Sequence, residues 1–130
     1  MKIKKIVSLI PCFYLPFLIL LINIPFVYFR IYPMFPGLDF VMHLLGGGTL
    51  AYSFFLVLKR LNKEIIINDF FIKIVCIISL ISLCAVFWEF LEGIIYLTLT
   101  NTVWDLFFGV VGGLIIAIIL ELKEKERLRK

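Results

Sequence analysis

The sequence predicts an all-α fold: a four-helix transmembrane bundle with both termini on the cytoplasmic side (N-in/C-in). Three observations carry this. Of the 130 residues, 63 % are hydrophobic and the mean hydropathy is +1.13, against about 45–50 % apolar in a soluble domain. Four apolar runs reach or approach the roughly 20 residues that a membrane-spanning helix needs. Twelve of the thirteen basic residues fall in the N-terminus, the middle loop and the C-terminus. An even number of spans puts those three segments on one side, and an excess of Lys and Arg marks that side as the cytoplasm.

The helices are expected at about 6–29, 39–58, 71–97 and 103–122, in one membrane domain over 1–130, with 123–130 as a basic cytoplasmic tail. The first run, Ile6–Phe29, has no charge. Its basic head resembles a secretory signal, but the apolar stretch is too long and no small-x-small site follows, so it is read as an uncleaved helix. Pro11, Pro16 and Pro25 are expected to kink it, with neighbouring helices satisfying the freed carbonyls. The second run, Phe40–Leu58, carries only His43, and the third, Ile74–Leu97, only Glu89 and Glu92. The fourth, Trp104–Leu122, has Asp105 at its start and Glu121 at its end.

Charge placement narrows the class further. Lys2, Lys4 and Lys5 lead the chain, and Lys59, Arg60, Lys63 and Lys73 bracket the middle loop. Lys123, Lys125, Arg127, Arg129 and Lys130 close it, and only Arg30 falls on the opposite side. A multi-pass protein of the plasma membrane is expected. The net charge of +4 sits at span ends and forms no stripe with aromatics, a pattern for an anionic bilayer surface and not for nucleic acid. Lys73 is expected to snorkel toward the cytoplasmic interface. Cys12, Cys76 and Cys84 lie inside apolar runs at no metal-ligand or disulfide spacing, so they read as core residues.

The polar residues inside the spans fall at one depth. Asp39 stands at the outer mouth of the second helix, with His43 one turn, about 6 Å, deeper. Glu89 lies about 22 Å along a third helix that starts inside, in a core of roughly 30 Å, and Glu92 is nearer the outer surface. Asp105 is in the first turn of the fourth helix as it re-enters. Five ionisable groups from three helices thus share the outer leaflet.

Their helical faces agree. Asp39, His43, Gly46, Gly47 and Leu50 form one stripe, Ser82, Ala85, Glu89, Glu92 and Tyr96 another, and Asp105, Gly109, Gly112 and Gly113 a third. Small residues let membrane helices approach closely, so the stripes are expected to face one another. The "GGG" at 46–48 is then a packing surface, because a phosphate loop needs a strand-to-helix turn. Trp104, Tyr28, Tyr32 and Tyr96 fit an outer aromatic belt, and Trp88 a lipid-facing or packing position.

An acidic side chain at mid-helix costs on the order of 3 kcal/mol, and such residues normally face a bundle interior and mark function. Four carboxylates beside one imidazole and, at most, Arg30 leave net negative charge, which protons or a divalent cation would balance. Asp39, His43, Glu89, Glu92 and Asp105 are the candidate metal ligands, and a ligand set of this kind suits Mg, Mn, Zn or non-haem iron. Asp39, His43, Glu89 and Asp105 are the candidate catalytic groups. Two of the acids also have local roles open to them. Asp105 completes a capping-box pattern in "TVWD", and Asp39 is a first-turn acid.

Three stretches carry a family resemblance. "GLDFVMHLLGGGTLAYSF", "FWEFLEG" and "TNTVWDLFFGVVGG" resemble, in residues and spacing, the polar motifs of VanZ-like membrane proteins and their relatives, over roughly Gly37 to Ala117. Asp39, His43, Glu89 and Asp105 occupy the family's polar positions, and Glu92 stands where Gln is common. The chain departs from it in having no Arg in Thr98–Val103 and Gly109 where an Asn is frequent. The resemblance implies a cell-envelope role and, in VanZ itself, low-level glycopeptide resistance; it implies no particular reaction.

Three functions follow as expectations. The first is a membrane enzyme or enzyme-like protein with an outer-leaflet His–carboxylate site, metal-loaded or not, acting on a lipid-linked envelope substrate. The second is a small cation- or proton-coupled transport or binding protein. The third is an accessory subunit whose acids only join helices.

Overall fold

A computed structural model describes residues 9–35, 37–61, 70–96 and 102–129, with side chains given throughout except at 61, 91–96, 102 and 128. The chain forms α1 (Tyr14–Tyr28), α2 (Leu38–Leu61), α3 (Phe70–Tyr96) and α4 (Thr102–Leu128), and no strand occurs among the described residues. Four helices are long and apolar enough to cross a membrane. Large apolar side chains such as Phe17, Leu21, Val75, Leu83, Phe87 and Ile115 are exposed around the bundle. That is the surface of a multi-pass membrane protein, for which lipid is the solvent.

The prolines shape the first helix differently from a simple kink. Pro11 lies in a 3-10 turn, Ile10–Phe13, and the α-helix begins only at Tyr14, putting Pro16 in its first turn. An absent N–H costs nothing in the first turn of a helix, because that group has no intrahelical partner. Pro25 is the internal one, a turn before the end. The helix stops in a Schellman arrangement: Ile31 N donates to Phe26 O and Arg30 N to Val27 O, with Arg30 left-handed at φ 51°. Glycine usually takes that position, so a side chain here costs roughly 1–2 kcal/mol of backbone strain.

Interhelical contacts fix the directions. His43 approaches Asp105 near one end of the bundle and Lys59 meets Glu124 near the other, so α2 and α4 run side by side in the same direction. Lys73 of α3 pairs with Glu121 of α4, and Glu89 lies at the His43 end, so α3 runs opposite to both. The Phe13 ring packs edge-on against Phe54 at 5.8 Å, and α1 lies along α2 antiparallel to it.

The α2–α4 contact is the tightest in the protein. A Cβ on Gly47 would lie 1.8 Å from Gly109 O, and one on Gly112 would lie 2.1 Å from Leu44 O. Backbone meets backbone along this seam. In lipid, where the hydrophobic effect does not drive helices together, such close packing supplies the association energy. Beside the seam, Ala51, Phe55, Ile77, Ile81 and Ala117 form the buried core. On α3 the inward face therefore runs through Ile77 and Ile81, and Ser82 is only half-buried. Of the expected stripe, Ala85 and Glu89 face inward, but at its start Ile81 takes the place of Ser82 and packs against Gly113.

The end opposite the Asp39 site also differs from expectation. Helix α2 continues to Leu61 and α4 to Leu128, so most of the expected tail at 123–130 is helix. The extension is held by charge: Lys59 Nζ lies 2.8 Å from Glu124 Oε2, and Arg127 Nη2 lies 2.7 Å from Glu124 Oε1. Lys73 does not snorkel alone. Its Nζ is 3.6 Å from Glu121 Oε2, and Glu121 is only 6 % exposed. Removing one partner of a buried pair strands the other charge, at about 3–5 kcal/mol. Lys73→Met is accordingly expected to destabilise the protein by about that much in detergent, and Lys73→Met/Glu121→Leu to recover most of the loss. A thermal-unfolding double-mutant cycle measures both. The N-terminal basic segment at 1–8 and the loop at 62–69 lie outside the described residues.

Candidate functional site

The site begins with helix ends. Asp39 sits in the first turn of α2 and Asp105 in the first turn of α4. Parallel helices joined by a glycine seam place two such turns side by side. Helical periodicity puts His43 one turn below Asp39 and on the same face. His43 Nε2 is 3.5 Å from Asp39 Oδ1 and 3.8 Å from Asp105 Oδ1. The backbone approach is what allows so short a side chain as Asp105 to reach it: Gly109, one turn further along α4, lies against the carbonyl of His43.

Asp105 is 5 % exposed, and its Oδ1 is a buried atom with no hydrogen-bond partner. An orphaned buried carboxylate oxygen is expensive and calls for an ion or a water. Asp39, His43 and Asp105 each offer a ligand atom, all within 4.8 Å of one another. A tetrahedral ion with bonds of about 2.0–2.2 Å holds its ligand atoms roughly 3.3–3.6 Å apart. The 3.5 and 3.8 Å spacings are long for direct hydrogen bonds and close to that requirement. By donor type and the unsatisfied oxygen, the three residues could hold a divalent metal.

Glu89 stands beside this trio and is not one of its three ligands. It is 6 % exposed, and its charge acts on both His43 and Asp105. The structure thus brings Asp39, His43 and Asp105 together with Glu89 adjacent. Glu92 lies on α3, but its side chain is outside the described residues, as is that of Tyr96. Tyr28 and Trp104 are exposed, as belt residues are. Tyr32 is not: its hydroxyl donates to Asn23 Oδ1 and ties the loop to α1.

Sequence reasoning missed a cavity. A space of about 340 Å³ opens between α1 and α3, floored by α2, and His43 is on its wall. Phe17, Leu20, Leu50 and Ile81 line it, with Gly46 and Ala85 leaving room. Trp88, half-buried, is among the residues that line it. The signal available in the sequence was Asn23, the lone polar side chain in the middle of the first span, together with Gly46 and Ala85 at matched depth.

Fold and site together define a multi-pass, all-helical membrane protein with a partly buried His–carboxylate cluster at one end of the bundle. No protein-family model, curated protein or solved structure matches the chain.

Proposed function

We propose that this is an enzyme-like membrane protein whose Asp39–His43–Asp105 site, loaded with a divalent metal, acts at the outer face of the plasma membrane on a lipid-linked cell-envelope substrate. The observation that carries the reading is the orphaned Oδ1 of buried Asp105, facing His43 Nε2. The twelve-to-one basic asymmetry supports cytoplasmic termini and an outward-facing site. The resemblance to VanZ-like proteins supports an envelope role.

Asp39, His43 and Asp105 would hold the metal. A metal bound by three protein ligands supplies an acidified water and a Lewis acid for a phosphoryl or carbonyl oxygen. The protein's own groups do the rest. Asp39, a turn away on the same helix and 3.5 Å from the same His43 nitrogen, would share the ion with it. Glu89 is placed to take or give a proton beside the cluster. The glycine seam and the α3 face keep bulk water from its inner side. A transport role is less well served. Among the described residues, the apolar cluster of Ala51, Ile77, Ile81 and Ala117 lies between this site and Glu121, and the hydroxyl of buried Ser53 on α2 is turned back to Thr49 O of its own helix.

Elemental analysis of the protein purified from metal-replete cells tests the reading. About one divalent ion per chain is expected, falling at least tenfold in Asp105→Asn and His43→Gln, with a parallel change in glycopeptide sensitivity of the host. Metal-free wild-type protein, or metal retained in both variants, overturns it.

A further inference from the structure

We infer that the cleft between α1 and α3 is a hydrocarbon-chain subsite: a bilayer lipid lays one chain in it and brings its polar head to the Asp39–His43–Asp105 group. The inference rests on that group being the functional site, as proposed above, and names what the site takes.

The shape of the cavity comes first. Its walls run from His43 to Leu50 on α2 and from Trp88 back to Ile81 on α3. Seven residues of helix is about 10 Å, so the long axis leads from the polar cluster toward the middle of the bundle. At about 340 Å³ it is at the small end of ligand pockets, which span roughly 300–1,000 Å³. It takes one chain, not the body of a two-chain lipid. Polar at one end and apolar along its length, the cleft matches an amphiphile with its head at the cluster.

The choice of occupant follows from the surroundings. Helix α1 packs on α2 and makes few contacts with α3, so the slit opens sideways between two helices whose outer faces carry exposed apolar side chains. At that depth in a membrane the medium is hydrocarbon. Water needs two to four polar partners to occupy a cavity, and below His43 the walls are apolar except for Asn23, already bonded to Tyr32, and the Cys84 thiol.

Gly46 is the second observation. Its neighbour Gly47 is required by packing, since a Cβ there would strike Gly109. A Cβ on Gly46 would meet nothing within 4 Å, and the residue faces the cavity. Glycine in a helix interior costs roughly 0.5–1 kcal/mol relative to alanine, and no protein contact returns that cost here. Bare backbone at this point keeps the cleft open for a ligand that approaches it closely.

The test uses the full-length protein in bilayers of phosphatidylcholine brominated on the acyl chains. The chain has two tryptophans. Trp104→Phe leaves Trp88 to report the cleft. Trp88→Phe leaves Trp104, which is 58 % exposed, to report the surrounding lipid. Bromine should quench both, and Gly46→Leu should at least halve the quenching of Trp88 while leaving that of Trp104 unchanged. Ala85→Leu fills the cleft from the facing helix and should do the same, so a failure of Gly46→Leu to fold, judged by thermal unfolding, still leaves a result. Quenching of Trp88 that is indifferent to a folded filler variant overturns the inference. Metal content is measured on the same samples. Normal metal with indifferent quenching rejects the chain subsite alone, whereas absent metal with filler-sensitive quenching rejects the metal reading and keeps the subsite.

Discussion

Gly112→Ala is expected to destabilise the protein by about 3 kcal/mol or more, whereas Gly46→Ala, on the same seam-bearing pair of helices, is expected to be neutral or slightly stabilising. The new Cβ at 112 would sit 2.1 Å from Leu44 O, 2.9 Å from Leu44 C and 3.0 Å from Leu44 Cα. All three are backbone atoms, so no rotamer change relieves the overlap and the helices must part. Overpacking a core usually costs about 1–3 kcal/mol where side chains can adjust; here they cannot. At Gly46 the same methyl meets nothing, and helix propensity favours it by roughly 0.5–1 kcal/mol. Separation of α2 from α4 also draws His43 from Asp105, since Gly109 lies only one turn from Asp105. Gly112→Ala should therefore lose metal even in the fraction that stays folded. Thermal unfolding in detergent, with elemental analysis of the monomer peak, measures both effects. Equal midpoints for Gly112→Ala and wild type would show that the seam is looser than 2.1 Å implies.

The contrast between two glycines one turn and more apart on facing helices shows what the sequence could and could not convey. Four apolar runs imply four helices because backbone polar groups in lipid must be satisfied within the segment, and that inference needs no tertiary knowledge. The meeting of Asp39 with His43 follows from i, i+4 spacing. Its extension to Asp105 followed from matched depth and from glycines on both helices. Depth and periodicity are one-dimensional quantities, and they are legible. The use of each glycine is not: Gly46 and Gly47 are adjacent and identical in sequence, yet one faces a cavity and the other a backbone. The Lys73–Glu121 and Lys59–Glu124 pairs were hidden for a similar reason. A lysine near a span end satisfies the snorkelling pattern equally well alone or paired, and only the packing of α3 and of α2 against α4 decides. The cavity arises because α1 leans on α2 and stands off α3, a packing outcome with no periodic signature.

Glu89→Gln is expected to leave insertion and folding within about 1 kcal/mol of wild type and to reduce function at least 100-fold. The side chain is 6 % exposed, and its charge acts on His43 and Asp105 together. With Asp39 it makes three carboxylates around one imidazole, so like charges oppose one another at the site. Glutamine removes one of those charges while keeping the shape and an acceptor oxygen, and what it relieves in repulsion offsets what it loses in bonding. It cannot carry a proton to or from a substrate, however, and a group acting as general acid or base contributes typically 10²–10⁴-fold. Metal content should fall much less than in Asp105→Asn, because Glu89 is outside the three ligands that share 4.8 Å. Stability in detergent, metal stoichiometry and glycopeptide sensitivity of the host, measured on the same variant, separate the roles. If Glu89→Gln unfolds while the surviving fraction works normally, the glutamate only joins helices, and the enzyme reading fails with it. A retained fold with metal bound and function lost leaves proton transfer as the one role that accounts for a carboxylate buried at this depth.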